Sequence, residues 1–214
     1  MSSPTKSYPG MKNFYILWAG QFVSIFASRM TWFALTLWAW DLAGSATALV
    51  LVGVIGRIPD LILSPFAGTL VDRWNRKLVM GLSDAGAAFS TLLLLILSLS
   101  GDLQLWHLYV VSAISGVFGV FQYPAYAATV TTMVPKEEYS RANSLRSAIS
   151  SASGIGAPLL AGALIIPLGL NGILTIDLVT FLVALGTLLV TIVPQPKASQ
   201  QGQAGQGSIW EETR

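Results

Sequence analysis

The chain has 214 residues, of which 53% are hydrophobic and 10% are charged, and its formal net charge is +2. About a quarter of the residues in an ordinary soluble domain are charged, so this composition, with a mean hydropathy of +0.65, excludes that class and indicates a multispanning membrane protein. The small net charge argues against nucleic-acid binding, and a cysteine count of zero excludes disulfides and thiolate metal sites.

Six apolar segments follow one another along the chain, and each is long enough to cross about 30 Å of hydrocarbon as a helix of roughly 20 residues. They cover residues 14–40, 46–71, 78–99, 105–130, 144–166 and 173–193. The runs are continuous and much longer than the alternating segments of a membrane barrel. The sequence therefore predicts an all-α integral membrane protein with six transmembrane helices at 14–193, between an N-terminal tail (1–13) and a flexible linker (194–214).

Apart from Arg29 and Arg57, lysine and arginine are confined to the tails and to alternate connections, with Arg146 at the start of the fifth segment counted with the connection before it. They occur in both tails, between the second and third segments and between the fourth and fifth, and the other three loops contain none. Under the positive-inside rule this asymmetry places both tails in the cytoplasm. We therefore expect a multi-pass protein of the cell membrane (inner or plasma membrane), surrounded by the lipid bilayer.

Residues 68–77 form a short charged hairpin with the sequence Gly-Thr-Leu-Val-Asp-Arg-Trp-Asn-Arg-Lys. It carries four ionised side chains within six positions: Asp72, Arg73, Arg76 and Lys77. Hydrocarbon does not accept such a cluster, so the hairpin is predicted to lie at the membrane surface. A simple positive-inside anchor would explain the three cations but not Asp72.

The hairpin pattern Gly-x-Leu-x-Asp-Arg-x-x-Arg-Lys, together with several other segments, resembles the major facilitator superfamily, in the branch that includes macrolide-efflux and enterobactin-export proteins. The other matching segments are residues 38–47, 65–68, 122–125, 134–138 and 141–143. The resemblance implies two inverted three-helix repeats and secondary active transport, with efflux of a drug-like or siderophore-like small molecule by alternating access. It also implies proton coupling, although the fourth segment lacks the arginine usual in the drug–proton antiporters of the superfamily.

Members of the superfamily normally have twelve helices in two halves, with the substrate site between the halves. Because this chain supplies six, we expect it to be the N-terminal half and to work with a second six-helix half, from the same gene, a split gene or a second copy of itself. The resemblance assigns the hairpin to a cytoplasmic latch between the halves. The latch residues are Gly68, Asp72, Arg73, Arg76 and Lys77. A half-protein that does not transport, but associates with or regulates another transporter, is the alternative.

Charged side chains inside the apolar segments are candidates for the substrate or proton pathway, because a mid-membrane charge is costly unless it is paired or hydrated. These candidates are Arg29, Arg57 and Asp60. Arg57 and Asp60 are three residues apart and can meet on one helical face. A structural cluster that clamps the first two helices together is the alternative. Asp84 is expected to pair with the charged hairpin, and Asp177 to lie at the membrane surface.

The resemblance adds two polar residues, Gln122 and Tyr123, to the predicted pathway. The fifth segment contains small residues and a proline that would allow a gating bend, in a loose form of the Gly-Pro motif of the antiporters. These residues are Gly154, Gly156, Pro158 and Gly162. Close packing of neighbouring helices explains the same composition without any bend.

An enzyme is a rival class, because residues 113–116 differ by one position from the Gly-x-Ser-Gly of intramembrane serine proteases. Ser115 and His107, the single histidine of the sequence, would lie about 12 Å apart along one helix, too far for a hydrogen bond between nucleophile and base. We therefore predict no enzymatic activity, no cofactor and no metal site.

Overall fold

The structure, a computed structural model, describes residues 10–194, and most of the predicted N-terminal tail and nearly all of the predicted linker lie outside this range. Within it the chain is helical and contains no strand. Its helices are α1 Met11–Ala43, α2 Ala46–Arg73, α3 Arg76–Ser100, α4 Leu105–Met133 and α5 Tyr139–Val190, with a 3-10 turn, Lys136–Glu138, before α5. All five helices are long and apolar enough to cross a membrane. The predicted all-α architecture is confirmed.

The fifth and sixth predicted segments lie in one element, α5, which has 52 residues and is interrupted at Gly169. Gly169 has φ 64° and ψ −179°, a conformation that is essentially restricted to glycine. We call residues 139–168 the first arm of α5 and residues 170–190 its second arm. The prediction of six separate helices is not confirmed, because residues 10–194 form five. The interruption at Gly169 nevertheless lies between the predicted fifth and sixth segments.

α5 reverses its direction at this glycine. Arg29 Nη1 donates a hydrogen bond to the carbonyl oxygen of Ser150 at 3.3 Å, and the adjacent Ser28 Oγ donates to Asp177 Oδ1 at 3.0 Å. In an uninterrupted helix Ser150 and Asp177 would be about 40 Å apart, so neighbouring residues of α1 could not contact both. Both arms therefore pack against α1 and run in opposite directions.

Local signals in the connections set several helix ends. α1 and α3 end at glycines in the left-handed conformation, Gly44 with φ 56° and Gly101 with φ 78°. α3 begins after Asn75, whose side-chain oxygen accepts a hydrogen bond from the N–H of Leu78 at 3.2 Å. This bond satisfies one of the donors that the first turn of a helix leaves unpaired. Consecutive helices are therefore joined by connections of a few residues.

Small residues allow the helices to approach closely. α2 packs against α4, and α1 packs against α5. A side chain at Gly116 of α4 would overlap the carbonyl oxygen of Gly56 in α2, and one at Gly20 of α1 would overlap Thr187 in the second arm of α5. Because lipid tails are as apolar as these helices, their association depends on close van der Waals contact of this kind.

Large apolar side chains remain on the outside of the bundle. Leu61 and Ile62 of α2 are 78% and 61% exposed and Ile166 of α5 is 89% exposed, whereas Ala67 and Val71 of α2 are buried. A soluble monomer rarely exposes an extended apolar surface, and lipid or a neighbouring protein would cover this one. The exposed surface agrees with that of an integral membrane protein.

Candidate functional site

A cavity of about 360 Å³, which we call the main cavity, opens between α1, α4 and the first arm of α5. It is lined by Gln21, Ile25, Arg29, Gly119, Gln122, Tyr123, Tyr126, Arg146, Ile149 and Ser150. Three of the predicted pathway residues, Arg29, Gln122 and Tyr123, are thus brought to one cavity. Its volume lies within the range of small-molecule sites, about 300–1,000 Å³.

A network of two amide groups and one carboxyl forms part of the wall of the main cavity and extends behind it. Gln21 Nε2 donates to Asp84 Oδ2 at 2.9 Å, while Gln122 Nε2 donates to Asp84 Oδ1 and to Gln21 Oε1, both at 2.9 Å. Gln21 and Asp84 are 2% and 5% exposed. The expected pairing of Asp84 with the charged hairpin is wrong, because α3 turns this side chain towards α1 and α4.

Two guanidinium groups reach the main cavity. Arg29 of α1 donates to the backbone oxygen of Ser150 at 3.3 Å, and the guanidinium of Arg146 lies 3.8 Å from the centre of the Tyr123 ring, in a cation–π contact. Sequence reasoning misses Arg146, because it counts this charge with the cytoplasmic connection before the fifth helix. α5 begins at Tyr139, which places Arg146 about two turns into the helix.

Two polar atoms of the main cavity have no hydrogen-bond partner among the residues that the structure describes. They are Gln122 Oε1 and the hydroxyl oxygen of Tyr126, and both atoms are buried. A buried polar group without a partner costs about 1–3 kcal/mol, and either side chain would have to rotate for its atom to meet a ligand in the cavity. The main cavity therefore offers hydrogen bonds, positive charge and aromatic surface together.

Arg57 and Asp60 lie elsewhere, on α2. Arg57 Nη1 and Asp60 Oδ2 are 4.0 Å apart, and the two side chains are 81% and 51% exposed. Arg57 lines a second cavity of about 450 Å³, which also has walls from α1 and α4. The structure thus does not bring this pair into the main cavity with Arg29, and its role in the pathway stays a prediction. An ion pair as exposed as Arg57 and Asp60 contributes little to the stability of the fold.

The hairpin between α2 and α3 is partly held to the bundle and partly exposed. Asp72 Oδ1 is 3.9 Å from Arg76 Nη2, and the two side chains are 73% and 11% exposed. Arg76 Nη1 donates to the carbonyl oxygen of Ala128 in α4 at 2.7 Å. Arg73 is exposed, and a side chain at Gly68 would meet no atom within 4 Å. Arg76 therefore anchors the hairpin to α4, while the side of the hairpin that carries Asp72 and Arg73 faces outwards.

Lys77 links the start of α3 to the end of α5. Its Nζ donates to the carbonyl oxygens of Leu189 and Thr191, both at 2.9 Å. The last carbonyl groups of a helix have no partner within the helix, and a cation beside them is favourable. Lys77 therefore has a structural role within this bundle, in addition to the latch role that the resemblance implies.

Two of the three glycines of the predicted bend, Gly154 and Gly156, pack against α1, whereas a side chain at Gly162 would meet no atom within 4 Å. A side chain at Gly154 would lie 3.3 Å from Arg29 Nη1, and one at Gly156 would lie 3.0 Å from the ring of Phe26. The interruption of α5 lies beyond this segment. These two glycines support close helix packing in the present conformation, and the bend at residues 154–162 stays a prediction.

Asp177 is buried, at 1% exposure, and the prediction that it lies at the membrane surface is wrong. Ser28 Oγ and Thr91 Oγ1 donate to its two carboxyl oxygens, each at 3.0 Å. The reversal of α5 at Gly169 carries the second arm back along the bundle, where Asp177 meets α1 and α3. Spacing along the sequence gives no sign of these contacts, because the partners lie on two distant helices.

Of the two residues considered for enzymatic chemistry, His107 makes a structural contact. His107 Nδ1 accepts a hydrogen bond from the backbone N–H of Gln104 at 2.9 Å, which caps the start of α4. Ser115 lies further along the same helix and lines the cavity that contains Arg57. Between residues 10 and 194, no group of three or more His, Cys, Asp or Glu side chains is placed to hold a metal ion.

Long apolar helices around a cavity that several polar and charged side chains line define an integral membrane protein of the helical-bundle class. Comparison with known proteins gives the family. The family model described as Major Facilitator Superfamily matches residues 17–213. The chain belongs to this superfamily, as its motifs predict.

Curated relatives from several bacteria agree with this membership. Macrolide efflux protein A of Streptococcus pyogenes is 30% identical over 191 residues, which cover 89% of this chain and 47% of the relative. The uncharacterized MFS-type transporter YfiS of Bacillus subtilis is 28% identical over 172 residues, 80% of this chain and 40% of the relative. Multidrug resistance protein MdtG of Dickeya zeae is 29% identical over 178 residues, 80% of this chain and 42% of the relative. The chain thus spans about half the length of the curated relatives it matches.

Proposed function

We propose that this chain is the N-terminal half of a twelve-helix secondary active transporter, which exports a small molecule by alternating access and couples export to protons. The observation that carries the proposal is the main cavity, in which a chain of the major facilitator superfamily gathers Arg29, Gln122 and Tyr123. Relatives named as efflux and multidrug resistance proteins support export as the direction. We expect no enzymatic activity.

The reversal of α5 at Gly169 supports six membrane crossings. When each arm of α5 counts as one crossing, both ends of the bundle lie on the same side of the membrane. The positive-inside rule makes this the cytoplasmic side of the cell membrane. The packing also fits two inverted three-helix repeats. Exchanging the repeats replaces α1 with α4 and the first arm of α5 with α2. The contact between α1 and the first arm of α5 therefore corresponds to the contact between α4 and α2.

The main cavity suits an amphiphilic substrate with polar or anionic groups. Arg29 and Arg146 supply positive charge, Tyr123 and Tyr126 supply aromatic surface, and Gln122 supplies a buried acceptor oxygen. A macrolide-like drug and a siderophore-like chelator are the two substrate classes that we consider. The name of a relative favours the drug, whereas guanidinium groups favour an anionic chelator.

A second six-helix half would complete the substrate site and the latch. Asp72 is 73% exposed and Gly68 has open space beside it, so both are available for contact with that half. Leu61 and Ile62 add exposed apolar surface on the same helix as Gly68. The second half would come from the same gene, a split gene or another copy of this chain.

A half-protein that regulates another transporter is the second candidate function. The chain matches about half the length of its relatives, and a half without transport activity can still associate with a partner. The two candidates differ in one observable. A regulator alters export by a transporter that is complete without it, whereas a half-transporter is required for export.

Drug accumulation in cells tests the proposal. Cells without their own drug exporters would express this chain, the second six-helix half of a macrolide efflux relative, or both, and would be given a radiolabelled macrolide or catecholate chelator. We expect reduced accumulation only when both halves are present, and loss of this reduction with Arg29→Ala at equal membrane abundance. Equal accumulation in all strains, with both halves assembled in the membrane, would contradict the half-transporter.

A further inference from the structure

A smaller cavity of about 160 Å³, which we call the inner cavity, lies between α1, α3, α4 and the second arm of α5. Its polar lining consists of Ser28, Thr31, Ser90, Thr91, Ser115 and Asp177. None of these residues lines the main cavity. Hydroxyl groups and a carboxyl from four parts of the bundle therefore converge on an internal space that is large enough for an ion or a few water molecules.

Asp177 is the carboxyl of this lining, and it is 1% exposed. Its two oxygens accept hydrogen bonds from Ser28 Oγ and Thr91 Oγ1, each at 3.0 Å. Across the described part of the chain, no Lys, Arg or His forms an ion pair with it. Two neutral hydroxyl groups compensate an ionised carboxylate inside a membrane bundle less well than a cation does, so this site favours either a proton or a bound cation on the carboxyl.

Thr31 adds an unused ligand to the inner cavity. Its side chain is 2% exposed, and its hydroxyl faces the Asp177 carboxyl without a hydrogen bond of ordinary geometry. A hydroxyl can rotate its proton away and present its two lone pairs to a cation. Ser28 and Thr91 can do the same, by turning from donation to the carboxyl to coordination of an ion.

The other buried carboxyl described in the bundle, Asp84, is compensated differently. It accepts hydrogen bonds from the amide nitrogens of Gln21 and Gln122, and an amide nitrogen has no lone pair for a cation. Asp84 also does not line the inner cavity. The comparison singles out Asp177 as the carboxyl with both the space and the oxygen ligands for an ion.

We propose that the inner cavity binds a sodium ion, with the carboxyl of Asp177 as its charged ligand. The hydroxyls of Ser28, Thr31 and Thr91 are the neutral ligands. All four are oxygen ligands, which hard cations prefer over nitrogen and sulfur. One carboxylate matches a monovalent ion. The ligands come from α1, α3 and the second arm of α5, so the ion joins these three parts of the bundle.

The inner cavity adjoins the cavity at Arg57. Trp32 and Ser115 line both cavities, so these two side chains stand between them. Passage of sodium between the two cavities would require one of these side chains to rotate. The site belongs to this chain alone and depends neither on export nor on the coupling of export to protons.

Binding of radioactive sodium to the purified 214-residue chain in detergent tests the proposal. We expect saturable binding that potassium and choline do not displace at equal ionic strength. Asp177→Asn should lower the affinity about tenfold or more, while the matched change Asp84→Asn should leave it unchanged. Failure of sodium binding would not bear on export, and failure of export would not bear on sodium binding, so the two proposals are tested separately.

Thr31→Val is a second test, in case Asp177→Asn lowers sodium binding through a folding defect. This change keeps the side-chain volume and removes one ligand. We expect weaker sodium binding with no loss of melting temperature in choline chloride. In the wild type, replacing choline with sodium should raise the melting temperature. Absence of sodium binding in the wild type, or equal binding in the wild type and both variants, would overturn the proposal. Proton exchange at Asp177 without any sodium dependence would also overturn it.

Discussion

Gln122 joins the wall of the main cavity to the buried carboxyl of Asp84. Its amide nitrogen donates to Asp84 and to Gln21, while its amide oxygen is buried without a partner. A ligand that binds this oxygen therefore acts on a side chain that stabilises Asp84.

Replacement of Gln122 by alanine should destabilise the bundle. Asp84 loses one of its two amide donors, and a buried group with an unmet hydrogen bond costs about 1–3 kcal/mol. Thermal unfolding of the purified chain measures this loss. Thr36→Val is the control, because the Thr36 hydroxyl is exposed and bonds to Trp32 one turn earlier in the same helix. Equal melting temperatures in the wild type and both variants would show that the network adds no stability.

Asp60→Asn should abolish export by the completed transporter and leave membrane insertion intact. The change removes a titratable group and the negative partner of Arg57, 4.0 Å away, with little change in side-chain volume. Export is measured with the second half present. Asp41→Asn, at an exposed position near the end of α1, is the control. If export survives Asp60→Asn, the pair with Arg57 is merely structural.

The polar residues of the bundle differ in how far a sequence predicts them. Arg29 could be found because a charge inside an apolar segment is conspicuous, and Gln122 and Tyr123 because they lie in a family motif. The partners of Asp84 and Asp177 could not be found. They depend on which helix faces each carboxyl after packing, and hydropathy carries no information about that choice.

α5 is the element whose course depends most on a single residue. Gly169 has φ 64° and ψ −179°, and an alanine held in such a conformation costs about 1–3 kcal/mol. We therefore expect Gly169→Ala to lower the melting temperature of the chain. Gly186→Ala is the matched control, because an added methyl group there meets no atom within 4 Å. If both variants melt like the wild type, the reversal of α5 does not require glycine.

Lys77→Met should loosen the end of α5. The change removes two hydrogen bonds from the ammonium group to the carbonyl oxygens of Leu189 and Thr191, and a cation at a helix C-terminus contributes about 0.3–1 kcal/mol. Hydrogen exchange of the amides near these carbonyls should become faster. Lys77→Arg keeps the charge and should keep most of the protection. If hydrogen exchange is unchanged in Lys77→Met, Lys77 does not stabilise the end of α5, and only its predicted role in the latch is left.

The first four helices could be predicted to within a few residues, because the apolar segments and the turn residues between them mark their ends. The observed helices extend past the apolar segments where the chain becomes polar, as α4 does to Met133. The fifth and sixth segments could be predicted as apolar, but not as one interrupted element. Hydropathy does not distinguish two helices joined by a loop from a helix that reverses at a glycine.

The surface of residues 10–194 is largely apolar outside the charged hairpin. Large apolar side chains such as Leu61 and Ile166 are exposed, and the charged hairpin at residues 68–77 has Asp72 on its outer side. The chain matches about half the length of its relatives. The long apolar helices are the feature of the molecule that the sequence predicts best, because segment length and hydropathy indicate them without tertiary contacts.

Export into inverted membrane vesicles tests the half-transporter most directly. Vesicles with an acidic interior would contain this chain, the second half of a macrolide efflux relative, or both, and would be given a radiolabelled macrolide. We predict uptake only with both halves, and loss of uptake when a protonophore dissipates the gradient. Uptake by the second half alone, or no uptake by the assembled pair, would contradict the proposal.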